Sequence, residues 1–195
     1  MVSILKVDKI QKPNSDSDMV SLNDTGVNFT HTPTIGGVEL ISSMSGQIVQ
    51  MEANTFVSRD AHIQTTSTTM TTTGASVSIT PKYTDSTIFV SAMSGMGYGR
   101  SGASLTWGLY RSGAGVTDGF IINKTASYAT DYYHGWIYVS ASEWQTLYGE
   151  HLDTTYNTTQ QLTYTLYHSQ WTAGSASYTA HQGHQVTMKA IEIKA

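Results

Sequence analysis

The chain of 195 residues contains no cysteine. That absence excludes a disulfide framework, thiol catalysis and cysteine-based zinc sites, and it makes stability independent of redox compartment. Charge is scarce as well. Asp, Glu, Lys and Arg supply 12% of the residues, about half the usual share. Hydrophobic residues reach 39%, below what a globular core normally draws on. The net charge of −4 comes with no cluster of Lys or Arg, so no nucleic-acid partner is expected. No segment approaches the length of a membrane span, so no membrane insertion is expected. The opening MVSILKVDKIQ is interrupted by Lys6, Asp8 and Lys9 and does not read as a signal peptide. Synthesis in a cytoplasm, without secretion, is the expectation.

Thr, Ser, Gly, Asn and Gln fill the deficit. Thr suits strands, Gly and Asn suit turns, and the mixture does not suit helices. A polar chain with little charge gains stability by oligomerising, because association buries area that one copy lacks.

The stretch from Gly46 to Val90 organises the rest. It opens with a strand-like run, crosses a threonine tract and enters SVSITP, where Val77 and Ile79 alternate with Ser76, Ser78 and Thr80. Pro81 stops the pairing, residues 82–86 turn, and Ile88, Val90 and Ala92 then alternate with Phe89 and Ser91. Period-two alternation between turn signals marks half-buried strands. Upstream, residues 2–11 read as one strand that needs a partner. KPNSDSD is a linker, and short apolar pieces such as Val20 and Leu22, Val27 and Phe29, and Ile35 follow. They recur too regularly for a solvated tether and suit a short shaft or anchor. The expected division is residues 1–45 as anchor and stalk and 46–195 as head.

Downstream, residues 93–104 read as a glycine-rich loop. GMGYG lacks the Lys-Ser/Thr of a phosphate loop and is set aside. Strands are expected at 104–111, 120–123, 132–142 and 143–152. A polar turn follows at 153–159, then the cleanest strand, with Leu162, Tyr164 and Leu166 on one side. Residues 169–177 read as a loop, and 183–194 as the closing strand. About eight strands at this spacing suggest an all-β antiparallel sandwich head.

Several of these segments resemble a known family. SILKVDKIQ at the start, GQIVQ with the Thr/Ser tract, SITPKYTDSTIFV, and more loosely VTMKAIEIK resemble short tail-fibre and fibre-like virion proteins of tailed bacteriophages, of the cyanophage and marine-phage type. The motifs are short, and their order and spacing carry the resemblance. It implies a homotrimer with a short intertwined stalk and a jelly-roll-like knob, located in the virion and made in the host cytoplasm. By the same resemblance the N-terminal strand, with Ile4, Leu5, Val7 and Ile10, would attach to other tail or capsid proteins. The knob would meet a host-surface polysaccharide or protein receptor. The near absence of a shaft departs from long fibres. A capsid or tail decoration or adaptor protein that binds no receptor is therefore the alternative, with a free carbohydrate-binding module as a third.

Site chemistry favours binding. Aromatics form 10% of the chain, mostly Tyr and Trp, which pair a flat apolar face with a polar handle. The loop aromatics Tyr98, Tyr128, Tyr132, Tyr133, Trp171 and Tyr178 are the receptor-contact candidates, set against packing between subunits. His181 and His184 flank a glycine but lack acidic or thiol companions, so no metal and no cofactor are expected. His134 and His168 read as hydrogen-bonded strand residues. Glu150 and Asp153 straddle His151, and read as solvated acids without a partner motif. With Asp118, Asp131, Glu143 and Glu192 elsewhere in the head, they offer no set for glycoside hydrolysis or for a Ser/His/Asp site, and no enzyme is expected.

Overall fold

The computed structural model describes residues 9–11, 18–23, 26–29, 34–35, 38–39, 46–57, 63–99, 104–121, 135–138, 143–170, 176–180 and 183–195. All regular structure among them is β, and none is helix. The chain divides into two compact units, Met1–Ser45 and Gly46–Ala195.

In the first unit β1 (Lys9–Gln11), β2 (Asp18–Asn23) and β3 (Gly26–Phe29) form an antiparallel sheet in that order. Ile10 stands opposite Val20, and Val20 opposite Phe29. The first strand thus finds its pairing partner inside its own chain. β4 (Thr34–Ile35) and β5 (Val38–Glu39) pair antiparallel as a separate two-stranded sheet.

The second unit begins with β6 (Ile48–Val57), β7 (Ile63–Thr65), β8 (Thr71–Ile79), β9 (Thr87–Gly99) and β10 (Ser104–Gly113). It continues with β11 (Gly119–Phe120), β12 (Gly135–Tyr138), β13 (Glu143–Asp153), β14 (Leu162–Ser169), β15 (Ser177–Ala180) and β16 (Gln185–Ile193). One sheet runs β11-β10-β14-β8, with β12 also on β10. The other runs β6-β16-β9-β15-β7, with β13 on the free edge of β9. Every pairing is antiparallel.

The alternation in the sequence decides what meets between the sheets. Val77 and Ile79 of β8, Leu105 and Leu109 of β10, and Leu162, Tyr164 and Leu166 of β14 point inward. They pack in one cluster with Ile88 and Val90 of β9 and with Val186, Met188 and Ala190 of β16. Two sheets closed on one core make a β-sandwich. Each fully buried aliphatic side chain contributes about 1.5–3 kcal/mol, so the core offsets the low apolar content by placing nearly every inward residue out of water.

The exposed edge of β8 is capped by side chains. The Gln50 amide donates to the Thr80 carbonyl at 2.7 Å, and the Asn54 amide donates to the Ser76 carbonyl at 2.9 Å. Glu192, fully buried, accepts from the backbone N–H of Lys82 and of Tyr83 at 3.0 Å and from Gln50 at 2.7 Å. Its carboxylate therefore clips the turn after Pro81 to the last strand, which satisfies donors that the end of β8 would otherwise leave unpaired.

Two sequence expectations are corrected. The glycine-rich segment is not a loop from residue 93. It extends β9 to Gly99, because Gly97 and Tyr98 pair with Gln145 and Trp144 of β13. The stretch read as loop around Ser177 ends in β15, which joins β7 to the sheet. In both places long-range pairing overrides local propensity.

Candidate functional site

Arg111 sits near the end of β10, where the chain is about to turn back. Gly113 begins that turn, and a Cβ there would lie 2.5 Å from the carbonyl oxygen of Gln161, so the position needs glycine. The Asp118 carboxylate closes the turn by accepting the Gly113 N–H at 3.1 Å. Opposite, β13 ends in Asp153. Between the turn and the β13 end lies an open pocket of about 410 Å³, lined among others by Arg111, Asp118, Phe120, Ile121, His151 and Thr155.

Its floor is a buried ion pair. Arg111 Nη1 donates to both Asp153 oxygens, at 2.9 and 2.8 Å, and to Thr155 Oγ1 at 2.9 Å. Asp153 is fully buried. It also accepts from the Tyr164 hydroxyl at 2.9 Å, the Thr155 N–H at 3.0 Å and the Thr155 hydroxyl at 2.9 Å. Burial pushes the Asp153 carboxyl up, but the hydrogen bonds from Thr155, Arg111 and Tyr164 outweigh it and hold it below the usual carboxylate range. Burial, with Asp153 beside it, pushes the Tyr164 phenol up. His151 is held below its ordinary value, first by burial and then by the nearby guanidinium, with Asp153 opposing. It is therefore neutral at pH 7. Arg111 Nε, buried, has no hydrogen-bond partner among the described residues.

Of the two acids around His151, Glu150 is solvated as expected, but Asp153 is buried and that expectation is corrected. Glu150 and Asp153 are three residues apart on a strand, so they face opposite ways. Glu150 is exposed on the outer face and accepts from the Tyr148 hydroxyl, while Asp153 points inward with its lone pairs in use. The pocket presents the hydroxyls of Thr117, Thr154 and Thr155, the neutral His151 and the Asp118 carboxylate beside Phe120, Ile121 and Leu152. Such a lining suits an uncharged, hydroxyl-rich ligand better than an ion.

The pairing of Arg111 with Asp153 has no local signature, because the two residues lie 42 positions apart in the chain. The only signal was Arg111 closing the strand SLTWGLYR on the side of Leu105 and Leu109, an unusual inward position for a charge. Among the predicted contact residues, Tyr98 and Tyr178 belong to strands and not to loops. They stand opposite each other across β9 and β15, and Tyr178 is buried. Tyr178 is therefore a packing residue, since the sheet continues through it to β7. Tyr128, Tyr132, Tyr133 and Trp171 lie outside the described residues, as do Ile4, Leu5 and Val7. Ile10 lies in β1. None of these residues lines the pocket.

His168 is buried in β14, its Nδ1 2.7 Å from Thr179 Oγ1. His184 lies beside Gly95. His134 and His181 lie outside the described residues. Among the described residues no three His, Asp or Glu side chains are grouped to hold a metal ion. No protein-family model matches the chain, and no curated protein shows significant similarity to it.

Proposed function

We propose that this chain is a virion protein of a tailed bacteriophage, a short trimeric tail fibre whose N-terminal segment attaches to the particle and whose sandwich head binds the host surface without catalysis. The ordered motifs SILKVDKIQ, GQIVQ and SITPKYTDSTIFV carry the reading. It is supported by the antiparallel sandwich that begins at Gly46 and by the separate small-stranded unit before it. The pocket beside Arg111 and Phe120 is the described part of the head best suited to a host glycan.

Light scattering and a glycan array test it together. The full chain is expected to run at three chain masses and to bind a neutral glycan, with binding reduced at least tenfold in Phe120→Ala. A monomer, or binding unaffected by that substitution, would remove the trimer or the pocket from the reading. The almost absent shaft favours a second reading, a decoration protein on capsid or tail. Antibody-labelled virions separate the two: a few labels at the tail tip fit the fibre, and a lattice of labels fits decoration.

A further inference from the structure

The outer face of the sheet formed by β13, β9, β16 and β6 carries a concentration of large apolar side chains. Register places Met51 opposite Ile191, Ile191 opposite Phe89, and Phe89 opposite Leu152. One hydrophobic row therefore crosses four strands. Four residues along, a second row is Thr55, Thr187, Met93 and Tyr148. Met51 is 58% exposed, Leu152 55%, Tyr148 50% and Met93 48%. With strands about 4.8 Å apart and residues about 3.4 Å apart, the rows and their margins cover about 400 Å². Within that area Met51, Phe89, Ile191, Leu152, Met93 and Tyr148 gather more large apolar side chains than a solvated face carries, which marks a contact surface.

The row between them identifies what covers it. It reads Ala53, Lys189, Ser91, Glu150. Lys189 and Glu150 flank the central strand, one on each side, about 10 Å apart at the backbone, and no ion pair joins them. Lys189 is exposed and has no ionic partner among the described residues. A lipid surface would have to take in the Glu150 carboxylate at the centre of its contact, which is costly. A second copy laid face to face with its strands aligned brings each Lys189 to the other copy's Glu150, while the apolar rows meet each other. The same cation-to-anion step closes around an axis when three copies are used, because one side of each face carries the lysine and the other the glutamate.

We infer that this outer face is the contact surface between copies of the chain, with Lys189 of one copy paired to Glu150 of the next. The inference rests on the trimeric reading proposed above and assigns it to a face. Substitutions on exposed positions of this face leave the core intact, so assembly and folding separate in the test. The masses of the full wild-type chain, Met93→Glu, Lys189→Glu, Glu150→Lys and the double reversal K189E/E150K are measured by light scattering, with circular dichroism as the check on folding. Wild type is expected as a trimer and Met93→Glu as a folded monomer. Each single reversal should weaken association at least tenfold, and the double reversal should restore it. A wild-type monomer overturns both this inference and the trimeric reading. A wild-type trimer whose folded Met93→Glu variant and single reversals remain trimers overturns this inference alone, leaving assembly to the N-terminal unit. Reversals that weaken association without recovery in the double variant overturn the Lys189–Glu150 pairing.

Discussion

The two sheets of the head are alike inside and opposite outside. On the sheet of β8, β14 and β10, the outward rows are Ser78, Thr163, Ser112 and Ser76, Thr165, Tyr110. The hydroxyls of Ser78 and Thr163 lie 2.9 Å apart. At one corner Tyr110, Tyr167 and Phe120 pack on one another with ring centroids 5.1–5.4 Å apart. On the sheet of β6, β16, β9 and β13, one outward row is apolar (Met51, Ile191, Phe89, Leu152), another adds Met93 and Tyr148 beside two threonines, and a lysine and a glutamate lie between them. Both sheets alternate with period two, and both bury one face on the shared core. Alternation alone therefore cannot separate a wet face from a covered one. What separates them is the identity of most outward residues: hydroxyls with one aromatic corner on one side, and Met, Ile, Phe and Leu in the majority on the other.

The largest effect belongs to the inside, which both sheets share. Asp153→Ala removes the partner of a buried guanidinium that bridges β10 of one sheet to β13 of the other. Breaking such a pair costs about 3–5 kcal/mol. The expected result is that loss in urea unfolding at fixed chain concentration. A change under about 1 kcal/mol would mean that the two sheets are not joined through this pair.

Acid sharpens the same point. His168 is buried between the sheets, and burial lowers its pKa to about 4 against about 6.5 in an unfolded chain. The neutral ring is the form the fold accepts. Its contribution is complete above pH 6.5 and is lost as pH falls from 6.5 through 4, by about 3 kcal/mol in all. The depressed His151 adds loss in the same direction. Asp153, held below the usual carboxylate range, gives up its own contribution as pH falls through its lowered folded value. Urea midpoints at pH 7 and pH 4.5, for wild type and for His168→Gln, check this. The variant should lose much less stability between the two pH values than wild type does.

Much of this head was legible in the sequence. Leu162, Tyr164 and Leu166 announce their strand and its inward face, and the core contains all three. Val77 and Ile79, then Ile88 and Val90, do the same on either side of the Pro81 turn. The features that were missed depend on distant partners. Asp153 looks like a turn acid because the arginine that holds it is 42 residues away. Tyr98 looks like a loop residue because glycines surround it, and only β13 and β15 make that segment a strand. The pocket needs the turn at Gly113–Asp118 and the end of β13 together, and nothing in either stretch names the other. The apolar outer face was written plainly in Phe89, Ile191 and Leu152, but it reads as an anomaly only once register sets those residues side by side.

The smallest expected effect is the one that holds the comparison together. Thr165 sits at the middle of β14 on the hydroxyl-lined face, between Tyr110 and Ser76. Thr165→Lys puts a long cation on a surface that is already solvated. Its stem can lie along the neighbouring ring while its ammonium stays in water. Strand preference changes by no more than about 1 kcal/mol, and the assembly mass should not change at all. Met93→Glu, a single charge on the other sheet, is expected to dissociate the copies at a similarly small cost to folding. If Thr165→Lys also dissociated them, the polar face would be an interface as well, and the outward residues would not distinguish wet from covered. If neither substitution changed the mass of an assembled wild type, the apolar rows would be exposed in the assembly. The difference between the two faces would then need a cause other than contact between copies.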